Sequence, residues 1–155
     1  MRTRIGLISD THGLLRPQAL DYLRGSAHIL HAGDIVDPAT LDVLATLAPL
    51  TAVRGNNDGG PWASALPESA TLTLYGVVIH ILHDLKDLQI DPAGAGVRVV
   101  LAGHSHKPSC VERDGVLYVN PGAAGRRRFK LPVSLGELLI DDGQVEVNLK
   151  TLDVA

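Results

Sequence analysis

The sequence predicts an α/β fold in which a parallel sheet with helices on its faces packs against a second sheet. Two observations favour this class. Up to residue 53, short apolar runs alternate with two amphipathic segments, a β-α-β-α-β pattern typical of parallel sheets. From residue 71 onward, most of the chain is strand-like runs separated by turn residues, and we expect these to form the second sheet. The length of 155 residues suits one domain over 1–155.

The first half predicts three strands and two helices. Each apolar run stops at a polar or glycine-containing loop, so each is interpreted as a buried strand. Pro17 and Pro38 suit the first turn of a helix, where the missing N–H would be unbonded anyway. Strands are predicted over 5–9, 28–31 and 50–53, and helices over 17–24 and 38–47.

The second half predicts hairpins. Gly76, Asp114-Gly115 and Asp142-Gly143 each lie between two strand-like runs, where they indicate tight turns. Strands are predicted over 71–75, 77–82, 98–101, 110–112, 116–119, 135–140 and 144–149, with a short helix over 85–90.

Composition excludes several classes of protein. The net charge of −3 and the pI of about 6.1 indicate no strong electrostatic footprint for nucleic acid, which is expected mainly as a possible substrate. The single cysteine, Cys110, excludes an intrachain disulfide and a thiolate metal cluster, and suits a cytoplasmic protein. Asp10 interrupts the first apolar run before a signal peptide could form, and no run approaches the roughly 20 residues of a membrane span.

Potential metal ligands follow five of the predicted strands. Ligands of open α/β sheets bind beyond the carboxyl ends of strands, which is where these side chains fall. Two carboxylates, one amide and four imidazoles make up the candidate set: Asp10, His12, Asp34, Asn56, His83, His104 and His106. His80 lies three residues before His83 and should face the other side of its strand, so we expect a packed or surface histidine there, as for His28.

Seven ligands of this mixture suit two divalent ions that share one carboxylate. Oxygen with imidazole fits Mn, with Fe, Zn and Ni as alternatives. Two such ions can hold the attacking and leaving oxygens of a phosphoryl displacement. The competing interpretation is five independent polar turns.

The motifs together resemble a known family. Asp10-x-His12, Gly33-Asp34, Gly55-Asn56-x-Asp58, His83 and Gly103-His104-x-His106 occur in the order and approximate spacing of the calcineurin-like metallophosphoesterases. The sequence is most similar to the small single-domain phosphodiesterases of bacteria and archaea. The resemblance implies two mixed β-sheets packed as a sandwich and flanked by helices, the metallophosphatase-like four-layer arrangement.

The resemblance also implies a division of the ligands. One ion would be bound by Asp10, His12, Asp34 and His106, and the other by Asp34, Asn56, His83 and His104. A hydroxide bridging the ions would attack phosphorus in line. Asp34, His12 and Asn57 are the candidate catalytic residues, and Arg54, Asn57 and Arg126 the candidate substrate contacts.

Three residues depart from the family pattern. Asn57 stands where many relatives have a histidine that could protonate the leaving group, so esters with good leaving groups should react best. Asp84 follows His83 where glycine is more frequent, which leaves His80 as an alternative ligand. Ala123 replaces a frequent serine, and we expect little effect from that change.

The predicted function is a dinuclear metal-dependent phosphoesterase that hydrolyses small phosphodiesters, with a homo-oligomer as a possible assembly. Two alternatives stay open. One is a non-catalytic protein-binding scaffold on the same fold, similar to the phosphoesterase-like subunit of retromer. The other is nucleic-acid binding without chemistry, which has only Arg126, Arg127 and Arg128 to support it, and a run of that length is typical of a solvated loop.

Overall fold

Ten strands and three short helices form in the part of the chain that the structure, a computed structural model, describes: residues 2–128 and 130–154. The helices are α1 (Pro17–Leu23), α2 (Ala39–Leu47) and α3 (Pro61–Ser64). The strands are β1 (Thr3–Ile8), β2 (His28–His31), β3 (Leu50–Ala52), β4 (Ser69–Leu74), β5 (Val77–Leu82), β6 (Val99–Leu101), β7 (Ser109–Arg113), β8 (Val116–Asn120), β9 (Ser134–Asp141) and β10 (Gln144–Thr151).

The strands form two mixed sheets of five strands each, which confirms the predicted α/β sandwich. The order in the first sheet is β10-β9-β1-β2-β3, with β1, β2 and β3 parallel. The order in the second sheet is β4-β5-β6-β8-β7, with β5, β6 and β8 parallel. Parallel strands end at a common edge, so each sheet presents the loops after its parallel strands along one edge.

One assignment of strands to sheets was wrong. The sequence predicted that the whole second half would form the second sheet, but β9 and β10 belong to the first, with β9 antiparallel to β1. The reason is burial on both faces of β9. Leu138 and Ile140 enter the core between the sheets, whereas Leu135 packs on the side of the helices. The pattern of apolar residues along a strand indicates which side chains are buried, but it does not identify the neighbouring strand.

One helical prediction also differs in extent, and one short helix was not predicted. The segment expected to be helical over 85–90 is a 3₁₀ turn over Leu85–Asp87 only. The four-residue helix α3 was not predicted, because one turn is too short to show a hydrophobic period.

The core lies between the sheets and continues on both outer faces. Ile5 and Leu7 of β1 face the second sheet, where they meet Ile79 and Leu101. Helices α1 and α2 cover the opposite face of the first sheet. The outer face of the second sheet is covered by the irregular segment after β5, through residues that include Leu88, Ile90 and Val97.

None of the helices within the described ranges has the length and apolar character needed to cross a bilayer.

Gly6 allows α1 to pack closely on β1. A Cβ atom at residue 6 would lie 2.6 Å from Leu23 Cδ2 and 2.9 Å from Ser26 Oγ, and the Leu23 side chain is fully buried. We therefore expect Gly6→Ala to lower the free energy of unfolding by about 1–3 kcal/mol through overpacking, measured by urea denaturation. Gly59→Ala is the control, since a Cβ there meets nothing within 4 Å, and it should leave stability nearly unchanged. Equal stability of the two variants would contradict this packing argument.

Candidate metal centre

Backbone hydrogen bonds hold the loops after the parallel strands against one another. The Asp10 N–H donates to the Gly33 carbonyl at 3.0 Å, and the His12 N–H donates to the Asp34 carbonyl at 3.0 Å. In the second sheet, the Gly103 N–H donates to the His83 carbonyl at 2.9 Å. Contacts between the sheets complete the site, since the His104 N–H donates to Asp10 Oδ2 at 3.1 Å.

Five of the seven predicted ligands have a left-handed backbone. Their φ angles are 53° for Asp10, 46° for His12, 59° for Asp34, 71° for His104 and 63° for His106. Asp and His adopt this region more readily than most residues, but it still costs free energy outside glycine. Such conformations persist where the surroundings impose them, and they are concentrated at functional sites. The local strain therefore marks the same loops that the sequence singled out.

The first group of potential ligand atoms surrounds Asp10, which is fully buried. Ligand atoms of Asp10, His12 and His106 all lie within 4.8 Å of one another. His106 Nε2 is 3.4 Å from Asp10 Oδ1, and His12 Nε2 is 3.7 Å from the same oxygen.

The second group surrounds Asp34. Ligand atoms of Asp10, Asp34 and His83 lie within the same limit of 4.8 Å. His12 Nε2 and His83 Nε2 are 3.5 Å and 3.3 Å from Asp34 Oδ2, so this oxygen lies between imidazoles of the two sheets.

Asn56 and His104 adjoin the second group. His104 Nδ1 is 3.2 Å from Asn56 Oδ1 and 3.4 Å from His83 Nε2. All seven predicted ligands are thus brought together in two groups that Asp10 and Asp34 connect. Their roles as ligands stay predictions.

Buried atoms without hydrogen bonds show that this centre suits a divalent cation. In the part of the chain that is described, Asp10 Oδ1, His12 Nε2 and His106 Nδ1 are buried and have no hydrogen-bond partner. A buried polar atom left unpaired costs about 1–3 kcal/mol, so such atoms usually bind something. A carboxylate oxygen beside imidazole nitrogens is the donor chemistry that Mn, Fe, Zn and Ni accept.

The charges of the centre depend on one another. Burial alone would raise the pKa of Asp10, but the nearby imidazoles of His106 and His12, together with a hydrogen bond from the Ser9 hydroxyl, hold it well below its usual value. The nearby Asp10 carboxylate raises the pKa of His12 in turn, against the opposing effect of burial. Burial lowers the pKa of His83, yet its contact with Asp34 produces a net rise. Burial would also raise the pKa of Asp34, but contacts with His83 and Asn57 lower it, so both carboxylates are ionised near neutral pH and attract positive charge.

A backbone carbonyl orients His83. Its Nδ1 lies 2.8 Å from the Ala32 carbonyl oxygen, which only accepts, so Nδ1 carries the proton and donates it. The lone pair of Nε2 is consequently free to face Asp34. Imidazoles that bind metal ions are commonly oriented by such a second hydrogen bond.

His31 connects the loops of β1 and β2 from beneath the site. The Gly33 N–H donates to Nδ1 at 3.1 Å, so Nε2 carries the proton and donates to Thr11 Oγ1, also at 3.1 Å. Complete burial lowers the pKa of His31 to about 4, and the ring is neutral at pH 7. His31 therefore holds together the two loops that carry Asp10, His12 and Asp34.

Asp58 is a residue whose importance sequence reasoning missed. Its carboxylate accepts backbone N–H groups of Asp34, Ile35, Val36 and Gly55 at 2.7–3.0 Å, and so fixes the loop that carries Asp34. The sequence motif Gly55-Asn56-x-Asp58 includes this residue, but the motif alone did not indicate what Asp58 does.

Asn120 supports the histidine loop in a similar way. Its side-chain amide donates to the Gly103 carbonyl and to Ser105 Oγ, each at 3.0 Å. The Asn120-Pro121-Gly122 turn therefore contributes to the position of His104 and His106 through the backbone.

The structure gives Asn57 a contact that the sequence did not predict. Its backbone N–H donates to Asp34 Oδ1 and its side-chain amide donates to Asp34 Oδ2, each at 2.9 Å. Asn57 thus orients the Asp34 carboxylate. Its predicted contact with substrate stays a prediction.

The predicted substrate-binding arginines occupy different surroundings. Arg54 lines a cleft beside Asn56, and its Nη2 is 2.9 Å from Glu68 Oε1. Arg126 is exposed on the segment after Gly125, whose carbonyl accepts a hydrogen bond from Arg16. Contact of either arginine with substrate stays a prediction.

The two histidines expected to pack are bonded to threonines on neighbouring strands. His80 Nδ1 lies 2.7 Å from Thr71 Oγ1, and His28 Nε2 lies 2.8 Å from Thr51 Oγ1. Neither belongs to the ligand groups found among the described residues.

Comparison with known proteins identifies the family of this chain. The model of the calcineurin-like phosphoesterase superfamily domain matches residues 3–143. The chain belongs to this superfamily.

Three proteins show how far the similarity of this chain extends in sequence and in fold. A probable metallophosphoesterase of Methanothermobacter thermautotrophicus is 32% identical over 157 aligned residues, which cover 94% of this chain and 90% of the relative. The structure of an archaeal phosphodiesterase has a TM-score of 0.81 at 25% identity, covering 97% of this chain and all 100% of that one. Vps29 of Chaetomium thermophilum has a TM-score of 0.76 at 23% identity, with 97% of each chain covered, and shows a shared fold.

Replacing Asp58 should loosen the Asp34 loop. In Asp58→Asn one oxygen becomes an NH₂ group that cannot accept the N–H groups it faces. We expect a loss of about 2–3 kcal/mol in the free energy of unfolding, measured by urea denaturation with a chelator present. Calorimetric titration should show Mn²⁺ affinity falling by about tenfold. Asp142→Asn, in the β9–β10 turn, is the control, and an unchanged Mn²⁺ affinity in Asp58→Asn would contradict the role given to Asp58.

The buried His31 should make stability fall on mild acidification. Its pKa is 6.5 in an unfolded chain and about 4 in the folded protein, so between these values only the unfolded state takes up the proton. Stability should therefore decrease as pH falls from 6.5 to 4, by an amount on the order of 3 kcal/mol. The raised pKa of His12 and of His83 adds little slope here, because their contribution is already complete below pH 6.5.

Urea unfolding at several pH values, with a chelator present, measures this effect. His31→Gln should flatten the slope over this range, whereas His28→Gln, at a less buried position, should change it less. An equal slope in wild type and His31→Gln would show that His31 is not the group responsible.

Proposed function

We propose that this protein is a dinuclear metal-dependent phosphoesterase that hydrolyses phosphodiesters. The observation that carries the proposal is the pair of buried atoms Asp10 Oδ1 and His12 Nε2, which lack hydrogen bonds in the midst of five further ligand side chains. Membership of the calcineurin-like phosphoesterase superfamily supports it, as does the likeness to an archaeal phosphodiesterase.

Two overlapping ligand sets follow from the arrangement. One ion would be held by Asp10, His12, Asp34 and His106, and the other by Asp34, Asn56, His83 and His104. The sharing of Asp34 is supported by Asp34 Oδ2, which lies 3.5 Å and 3.3 Å from an imidazole nitrogen of each set. Mn²⁺ is our first choice, with Fe, Zn and Ni compatible with the same donors.

Two bound divalent ions would supply hydroxide near neutral pH and would neutralise charge on the phosphate. The protein's own contribution is orientation. Asn57 holds both oxygens of Asp34, and the Ala32 carbonyl fixes the proton of His83 on Nδ1. Asp58 and Asn120 hold the loops that carry these ligands.

The side chain of Asn57 also sets a limit on the reaction. An amide has no proton to give near neutral pH, so Asn57 cannot protonate a departing alkoxide. Esters whose leaving group departs as a stable anion should therefore react fastest. Phosphomonoesters of poorly acidic alcohols should react slowly.

A non-catalytic scaffold is the second candidate. Its support is the fold that the chain shares with Vps29, a likeness that carries the fold alone at 23% identity. Measurement of turnover separates the two candidates.

Metal-stripped protein should hydrolyse bis(p-nitrophenyl) phosphate only after Mn²⁺ is added. The reaction is measured by the absorbance of the p-nitrophenolate that is released. Asp34→Asn keeps the size of the side chain but weakens its hold on both ions, so turnover should fall by about 100-fold or more. Asp114→Asn is a matched control, because Asp114 shares the left-handed backbone of Asp34 (φ 53° and 59°) but lies in the β7–β8 turn.

Full activity in Asp34→Asn would exclude a centre in which Asp34 serves both ions. Absence of turnover in the wild type with Mn, Fe, Zn and Ni would favour the scaffold.

A further inference from the structure

A cleft of about 520 Å³ opens beside the candidate metal centre. Asn56, His83 and His104 line one part of it. It also reaches His80, on the outer face of the second sheet, and Ile90 of the irregular segment that covers this face. Pockets for small molecules usually measure about 300–1,000 Å³, so the cleft is large enough for an organic group of nucleoside size.

His80 offers this cleft an unused hydrogen-bonding atom. The residue is only 5% exposed, and its Nδ1 is occupied by Thr71 Oγ1 at 2.7 Å. No described residue forms a hydrogen bond with Nε2. Burial lowers the pKa of His80, so the ring is neutral and forms one hydrogen bond through Nε2 without adding charge. Nε2 is not among the buried unpaired atoms, so it retains exposed surface, and His80 lines the cleft, where a bound group can pair with it.

The rest of the lining is acidic in balance. Leu82 and Ile90 are apolar, and Ser69 and Gln89 are polar but uncharged. Three carboxylates and one guanidinium complete the charged lining: Glu68, Asp84, Asp87 and Arg54. The guanidinium of Arg54 is already paired with Glu68.

This balance selects against additional negative charge. The scissile phosphate would be attracted by cations at the Asn56 and His83 end of the cleft. A second anionic group in the cleft would meet these carboxylates, while the one arginine among the described lining residues is already paired, and like charges placed together disfavour a wrong ligand.

We propose that the cleft binds one ester group of the phosphodiester, and that this group is an uncharged organic moiety of about nucleoside size whose hydroxyl or amide pairs with His80. The proposal rests on the phosphodiesterase function proposed above. It predicts discrimination against oligonucleotides and against nucleotides that carry a further phosphate.

Three substrates with the same leaving group test this selectivity in the Mn²⁺-loaded protein. Methyl p-nitrophenyl phosphate leaves the cleft empty, thymidine 5′-(p-nitrophenyl phosphate) can fill it, and the 3′-phosphorylated form of the thymidine ester adds negative charge. We expect kcat/KM to be about tenfold higher for the thymidine ester than for either of the other two. A 3′-phosphorylated ester that reacts as well as the thymidine ester would overturn the proposal.

A pair of variants tests the role of His80. His80→Leu removes the hydrogen bond at similar volume and should raise KM for the thymidine ester by about tenfold, with kcat and the methyl ester little affected. His28→Leu is the matched control, because His28 also bonds a threonine of the adjacent strand but lies in the first sheet. Equal effects of His80→Leu on both esters, or no effect on either, would contradict the proposal.

Failure of the cleft and failure of the catalytic function can be told apart. If even the methyl ester is not hydrolysed, the phosphoesterase function fails. The cleft is then tested by adding thymidine to chelator-treated protein and following the His80 ring ¹⁵N resonances by NMR. A shift of Nε2 that saturates with thymidine supports the cleft, and unchanged resonances exclude it. This measurement and the substrate series need no variant, so misfolding of His80→Leu would not affect them.

Discussion

The buried carboxylate of Asp10 is the constraint on which the site depends. It lies at the end of β1, has no exposed surface and is contacted from the second sheet by the His104 N–H and the His106 ring. An ionised carboxylate in such a place costs several kcal/mol unless positive charge or hydrogen bonds compensate it. Imidazoles from both sheets provide part of that compensation, and one oxygen still has no hydrogen-bond partner among the described residues. The packing of the two sheets buries the Asp10 carboxylate, and this burial is the reason why a cation would stabilise the site.

The loops of the site have strained backbone conformations. Outside glycine, positive φ angles in the described chain occur in two settings. Tyr75, Asp114 and Asp142 each precede a glycine in a hairpin turn, where such angles are ordinary. The others lie in the loops after β1, β2 and β6, where Asp58 and Asn120 hold the strained segments by side-chain hydrogen bonds to the backbone. The loop after β2 also packs closely against His83, since a Cβ on Gly33 would lie 2.8 Å from His83 Nδ1.

Local patterns account for what could be predicted from the sequence. The alternation of apolar runs with proline-led helices predicted β1 to β3 with α1 and α2, and the polar residue at the end of each run predicted which loops would meet. The position of the β9–β10 hairpin could not be predicted, because burial on both faces is compatible with either sheet. The contacts of Asn57 and Asp58 with the Asp34 loop were missed for a related reason. They join residues more than twenty positions apart, and residue type alone does not show such partners.

The segment that covers the second sheet forms part of the cleft, whereas other elements support the loops of the first sheet that carry predicted ligands. The helices α1 and α2 pack beneath the first sheet, whose loops carry Asp10, His12 and Asp34. One wall of the cleft comes instead from the segment after β5, which is held by a 3₁₀ turn and a few apolar side chains. Insertions and deletions in this segment can reshape the wall while the loops of the first sheet that carry the predicted ligands keep their supports. Related chains of this architecture can thus differ in the shape of the cleft through a surface connection, with the arrangement of the centre unchanged.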